Sequence, residues 1–205
     1  MIDPDHVTNF ARTQAELEEF LCFAVLAANR DARLAARVLT ALLDGCPCTS
    51  GLPPLTKIAR TFEGPDGHTR LAARLAALGM GLYSLKAASL FALARSDHLE
   101  LSNATTEALE RFRGIGPKTA RFFILHSRPN AGVAALDVHL LRRMREDWGL
   151  DAPAQTPPAG PRYRALEAAF LAKARELGRD PAELDLESWR AGARRRRPRV
   201  ELAAS

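Results

Sequence analysis

Apolar residues recur at helical spacing along nearly the whole of this 205-residue chain, and no stretch alternates β-branched with polar residues in the way a half-buried strand must. A chain patterned this way can bury its apolar surface only by packing helix on helix, so the expected class is all-α. Thr13-Gln14-Ala15-Glu16 reads as a capping box that opens a first helix with Leu17, Phe20, Leu21, Ala24 and Ala28 on one face. Asp31 is placed to cap a second helix carrying Leu34, Val38, Leu39 and Leu42, which Gly45 would end. After a loop over 46–54, short helices are predicted over 55–62, 69–78, 85–95 and 106–113. Further helices are predicted from Val138 to Trp148, stopping at Gly149, and from Arg162 to Leu177, following the proline-rich stretch 151–161. Asp180-Pro181 supplies a cap and a first-turn proline for a last helix through Trp189.

Composition narrows the function classes. Apolar residues make up 47% and charged residues 26%, close to the globular average, so neither a disordered nor a disulfide-rich class is indicated. The longest apolar run, Phe20 to Ala28, is far short of the roughly 18 residues that a membrane span needs. The start, Met-Ile-Asp-Pro-Asp-His, has neither a basic region nor an apolar core, and a cytoplasmic location is the expectation. A net charge of +5 and a pI near 9.6 fit a polyanionic partner. Lysine occurs only at Lys57, Lys86, Lys118 and Lys173 in a chain that otherwise uses arginine. Cys22, Cys46 and Cys48 are an odd set, for which reduced thiols are expected. Cys46-Pro47-Cys48 could ligate a soft metal, but no further Cys or Cys-His pair completes a set of four, so neither a structural metal nor an iron–sulfur cluster is expected. The run Arg194-Arg195-Arg196-Arg197-Pro198-Arg199 reads either as a solvated, disordered end over 194–205 or as a non-specific phosphate contact.

The stretch that carries chemistry begins at Leu109-Glu110-Arg111-Phe112-Arg113 and continues Gly114-Ile115-Gly116-Pro117-Lys118-Thr119-Ala120, a helix, a glycine turn and a second helix. Gly114 and Gly116 can take positive φ and admit a close neighbour, Ile115 can plug into the core, and Pro117 suits the first position of the second helix. Outward-facing amides of the turn and helix start would then hold a phosphate without reading a base. Lys118 falls at a helix N-terminus, where the dipole and partial burial favour the neutral amine that a nucleophile requires. Asp137 falls at the cap of the helix from Val138, a fixed position from which a carboxylate can steady positive charge developing on a substrate. Taken singly, these two residues read equally as a solvent-facing lysine and a plain cap.

Together, Gly114-Ile115-Gly116-Pro117-Lys118-Thr119-Ala120 and Leu136-Asp137-Val138-His139 resemble the helix-hairpin-helix DNA glycosylases that share a glycine-proline-aspartate motif. The resemblance implies a two-lobe helical enzyme acting as a monomer on double-stranded DNA that contains oxidised bases, with Lys118 as nucleophile and Asp137 assisting it. It implies one continuous lobe over 31–136 and a second that joins 1–30 to 137–193. Gly114, Gly116, Thr119 and His139 would lie against DNA. A monovalent cation on hairpin carbonyls around Arg113 and Ile115 is also consistent with the family. Asn29, in Leu26-Ala27-Ala28-Asn29, matches an amide residue that probes the duplex, or is a plain helix-end asparagine. Gly81-Leu82-Tyr83-Ser84-Leu85-Lys86-Ala87 resembles a segment of the endonuclease III-type enzymes, read as packing with Lys86 near phosphate.

No cysteine follows Cys48, which departs from the four clustered cysteines of endonuclease III-type enzymes. Instead Glu183-Leu184-Asp185-Leu186-Glu187-Ser188-Trp189 and Glu19-Phe20-Leu21-Cys22-Phe23-Ala24-Val25-Leu26 resemble the small 8-oxoguanine DNA glycosylases of the archaeal second type. That likeness implies base recognition by Trp189, stacked on the extruded purine, and by Asp185. A core or lobe-contact aromatic is the other reading of Trp189. The basic tail through Ser205 is a departure from those enzymes. The expected activity is excision of 8-oxoguanine with strand cleavage. A glycosylase for oxidised pyrimidines and a non-catalytic DNA-gripping hairpin are the alternatives.

Overall fold

The computed structural model describes residues 2–46, 49–96 and 99–195, and it is all-α: ten helices and no strand among the described residues. They are α1 (Gln14–Ala27), α2 (Ala32–Asp44), α3 (Pro54–Thr61), α4 (Gly67–Ala77), α5 (Tyr83–Leu93), α6 (Thr106–Glu110), α7 (Pro117–Ser127), α8 (Val138–Glu146), α9 (Pro161–Glu176) and α10 (Pro181–Arg195). Helix starts fall where the caps predict. Both bonds of the Thr13 box form, with the Thr13 amide donating to Glu16 Oε2 at 2.7 Å and the Glu16 amide to Thr13 Oγ1 at 3.4 Å. Asp31 accepts from the Leu34 amide at 2.8 Å. Ends are less faithful: α6 stops at Glu110 rather than 113, α8 at Glu146 rather than Trp148, and α10 continues past Trp189 to Arg195. No helix among the described residues is long and apolar enough to cross a membrane. Pro47 and Cys48 of the Cys-Pro-Cys pair, and the basic tail from Arg196 onward, lie outside the described residues.

The chain divides into two compact units, Met1–Val133 and Ala134–Ser205. In the first, α1 is the hub, and it corrects the single-face reading. Phe20 to Leu26 are all buried, on every side of the helix, while Ala28 is half-exposed. A helix apolar all round must be enclosed, and α1 packs against α2, α3, α5 and α7. Its Glu18 accepts from the Leu55 amide at 3.0 Å, serving α3, which opens on Pro53-Pro54 without a side-chain cap of its own. Burial pushes the Cys22 thiol up, so the sulfur is a packing atom rather than a nucleophile. These contacts place α1 in the same unit as 31–133, where sequence reasoning joins it to the C-terminal helices. The second unit packs α8 against α10 and encloses Leu136, Leu140, Leu141, Met144, Tyr163 and Phe170.

Lys86 is the second correction. It is 3% exposed, and its ammonium turns inward rather than towards a phosphate, donating to Leu26 O and, at 3.1 Å, to Ala28 O. These are carbonyls at the C-terminal end of α1, where a basic donor satisfies groups the helix cannot. Burial, with the positive Arg30 near it, brings the amine down from its ordinary 10.5 to about 8. Between those two values the unfolded chain holds a proton that the folded chain has lost, so stability should rise with pH across that window. In urea melts from pH 7.5 to 10.5 the stability of the wild type relative to Lys86→Met should grow as pH rises, the opposing slope of the buried Cys22 thiol being common to both. Parallel profiles would contradict the assignment.

Candidate active site

In the first unit the hairpin joins α6 to α7. Gly114 has φ +92, and a Cβ there would fall 2.4 Å from Ser89 Oγ, so glycine is required for conformation and for space. The buried Ser89 hydroxyl donates to Arg113 O at 2.6 Å, tying the turn to α5. Ile115 is buried, as expected. Gly116 differs from expectation: its φ is −94, and a Cβ would meet nothing within 4 Å. Neither backbone conformation nor internal packing demands glycine there, which leaves the start of α7 open on its outer side. Across the hairpin, Arg121 Nη1 donates to Glu110 Oε1 at 2.7 Å and locks α7 to α6.

Pro117 and Lys118 are the first two residues of α7. Lys118 is half-buried, with Nζ 4.9 Å from the centre of the Phe122 ring one turn on. Phe122 in turn meets Phe20 of the hub at 5.6 Å. Thr119 is 6% exposed, so its side chain faces the interior rather than standing open to a DNA contact. Asn29 is exposed at φ +56, the left-handed conformation that asparagine tolerates at a helix end.

Next to Asn29, the Arg30 guanidinium occupies the space where a Cβ on Gly81 would stand, bringing the loops before α2 and α5 together. Leu82 follows, 47% exposed and at φ +57, with Tyr83 equally exposed. An apolar, β-unbranched residue held left-handed costs about 1–2 kcal/mol and gains nothing from burial. Sequence reasoning treated this segment as packing. A leucine just after a glycine pair was the available signal, and its exposure is visible only in three dimensions.

In the second unit Asp137 caps α8, its Oδ1 accepting from the His139 and Leu140 amides at 2.8 Å each. Among the described residues nothing donates to Oδ2. The approach is rigid: Tyr163 Oη donates to Ala134 O at 2.9 Å and accepts from the Leu136 amide at 3.1 Å, while Thr156 donates to Leu136 O at 2.7 Å. His139 is buried against α10, where a Cβ on Gly192 would lie 2.0 Å from its Nδ1. The imidazole is therefore largely enclosed by its own unit rather than presented as an open DNA contact. Asp185 and Trp189 sit on α10, the first buried and the second half-exposed. The two tryptophans differ in use. Trp148 stacks on Phe170 at 6.0 Å with Arg143 over its ring, whereas Trp189 has no aromatic neighbour among the described residues and is not part of the core. The reading of Trp189 as a core aromatic is thereby corrected. Among the described residues no group of three or more His, Cys, Asp or Glu is placed to hold a metal.

No family model matches the chain, and no curated protein does. Solved structures do. The Methanocaldococcus jannaschii 8-oxoguanine glycosylase/lyase bound to a 15mer DNA containing 8-oxoguanine aligns with a TM-score of 0.66 at 22% identity, over 89% of this chain and 83% of that one. The 8-oxoguanine DNA glycosylase of the same organism gives 0.66 at 21%, over 91% and 83%. That of Thermotoga maritima gives 0.63 at 23%, over 87% and 80%. The chain has the fold of the 8-oxoguanine DNA glycosylases. Within this glycosylase fold Gly192 is a residue that sequence reasoning did not single out, and it makes room for the histidine two places after Asp137. Gly192→Ala should force the His139 ring aside and lower stability by about 1–3 kcal/mol. A thermal melt indistinguishable from wild type would show that the ring moves at no cost.

Proposed function

We propose that this chain is a DNA glycosylase with lyase activity that excises 8-oxoguanine, acting as a monomer. The observation that carries the reading is the placement of Lys118. It is a half-buried lysine at the second position of the helix following an open glycine turn, in a fold shared with a glycosylase/lyase bound to 8-oxoguanine DNA. The amide groups of the turn and of the start of α7 would hold the DNA backbone. Excision requires the nucleotide to leave the stack, because its glycosidic bond is inaccessible within it. The neutral Lys118 amine attacks C1′, the bond to the base breaks, and the base departs with a proton. The amine loses its own proton, the sugar ring opens to a Schiff base, and β-elimination releases the 3′ phosphate. Asp137, with one oxygen committed to the cap and the other unclaimed, would stabilise positive charge on the sugar. Trp189, half-exposed and outside the core, is proposed to stack on the purine.

Incubation with an 8-oxoguanine duplex and sodium borohydride should trap a covalent adduct. Lys118→Gln should abolish it while retaining DNA binding, which also separates this reading from a hairpin that only grips DNA. Asp137→Asn keeps a good cap, so the fold should survive while excision falls about 10²–10³-fold. Absence of an adduct on 8-oxoguanine, thymine glycol and abasic duplexes alike would overturn the lyase reading. Trapping on thymine glycol alone would reassign the lesion.

The exposed, strained Leu82 is proposed to enter the space left in the stack, as apolar wedges do. Leu82→Asn places there a residue that accepts the left-handed conformation. Stability should be unchanged or higher by up to about 1 kcal/mol, while excision slows. Undiminished excision would remove Leu82 from the site.

A further inference from the structure

A cavity of about 400 Å³ in the first unit lies beside the hairpin, lined by His68, Leu82, Tyr83, Ser84, Leu85 and Arg113 among others, and it contains no carboxylate. The Arg113 and His68 side chains have no hydrogen-bond or ion-pair partner among the described residues. Arg113 is exposed and forms no ion pair among the described residues. His68 makes an edge contact with Phe91 at 5.9 Å, yet its Nε2 is buried and meets no hydrogen-bond partner among the described residues. A ring nitrogen left unmatched costs free energy, which a small shift of the ring towards a ligand oxygen in the cavity would recover. Ser84 stands at the second position of α5, whose first turn takes no side-chain cap. The Arg113 backbone is already fixed, since its carbonyl accepts from the buried Ser89. A guanidinium, an imidazole nitrogen, a hydroxyl and a positive helix end around apolar walls make a site for an anion with an apolar attachment.

On the DNA-binding reading given above, we infer that this cavity takes a backbone phosphodiester of the duplex, with Arg113 and His68 on the phosphate oxygens and Leu85 and Tyr83 against the sugar. It is a second grip, separate from the amides of the hairpin. It acts on any sequence, because a phosphate carries none.

The test is the salt dependence of binding to an undamaged duplex, measured by fluorescence anisotropy on the full chain. Arg113→Ala should lower the magnitude of the slope of log K against log salt by about 0.9, the share of one phosphate contact, and weaken binding equally across sequences. His68→Phe preserves the aromatic contact with Phe91 and removes the ring nitrogens, and it should weaken binding at every salt concentration. An unchanged slope in Arg113→Ala would overturn the proposal. Wild-type affinity in His68→Phe would overturn the cavity as the site and leave Arg113 an isolated surface charge. A wild-type chain that fails to bind duplex at all would overturn the functional reading itself, a result distinct from either of these.

Discussion

The packing of α7 on the buried hub α1 is the constraint on which the rest depends. Phe20 of α1 lies 5.6 Å from Phe122 and 5.7 Å from Phe123, and the Lys118 Nζ lies 4.9 Å from the centre of the Phe122 ring. The first unit is arranged to keep that helix still. Arg12, itself over the Phe20 ring, donates to His126 O at the far end of α7, and Arg121 ties its near end to α6. Lysine carries about 2 kcal/mol of rotamer entropy, so a lysine that is to attack one carbon gains from a helix that cannot shift beneath it.

Asp137 answers to a similar logic in its own unit. A cap residue is held by two backbone amides and cannot rotate away, and its preceding segment is pinned by Tyr163 and Thr156. One carboxylate thus does structural service through Oδ1, and the chemistry proposed for it falls to Oδ2. Replacing it by asparagine separates the two duties, since asparagine caps as well as aspartate and carries no charge.

What was legible in the sequence was what local chemistry determines. Thr13, Asp31 and Asp137 mark helix starts because the amides they satisfy are within three residues, and Pro117 because its missing N–H costs nothing at a first position. The all-α class followed from spacing alone. The burial of α1 on every side was written in the run from Phe20 to Leu26, but a capping box followed by helical spacing invites a one-face reading. Lys86 was misplaced because its acceptors at Leu26 and Ala28 are distant in sequence, and a lysine in a DNA-binding motif looks outward until its neighbours are known. Gly116, read as free to take positive φ, has φ −94 and open space around it, while Gly192, tight against His139, carried no signal in the sequence. Exposure of Leu82 belongs with these: the strain is a property of two loops meeting, not of the residue.

The central claim is that Lys118 forms the covalent bond. Lysine occurs at only four positions, so the claim can be tested at the level of the atom. Borohydride-trapped adduct with an 8-oxoguanine duplex, digested with nuclease and trypsin, should yield by mass spectrometry a sugar remnant on the peptide that runs from Gly114 to Arg121 and contains Lys118. A remnant on Lys57, Lys86, Lys173 or the terminal amine, with the Lys118 peptide unmodified, would contradict it.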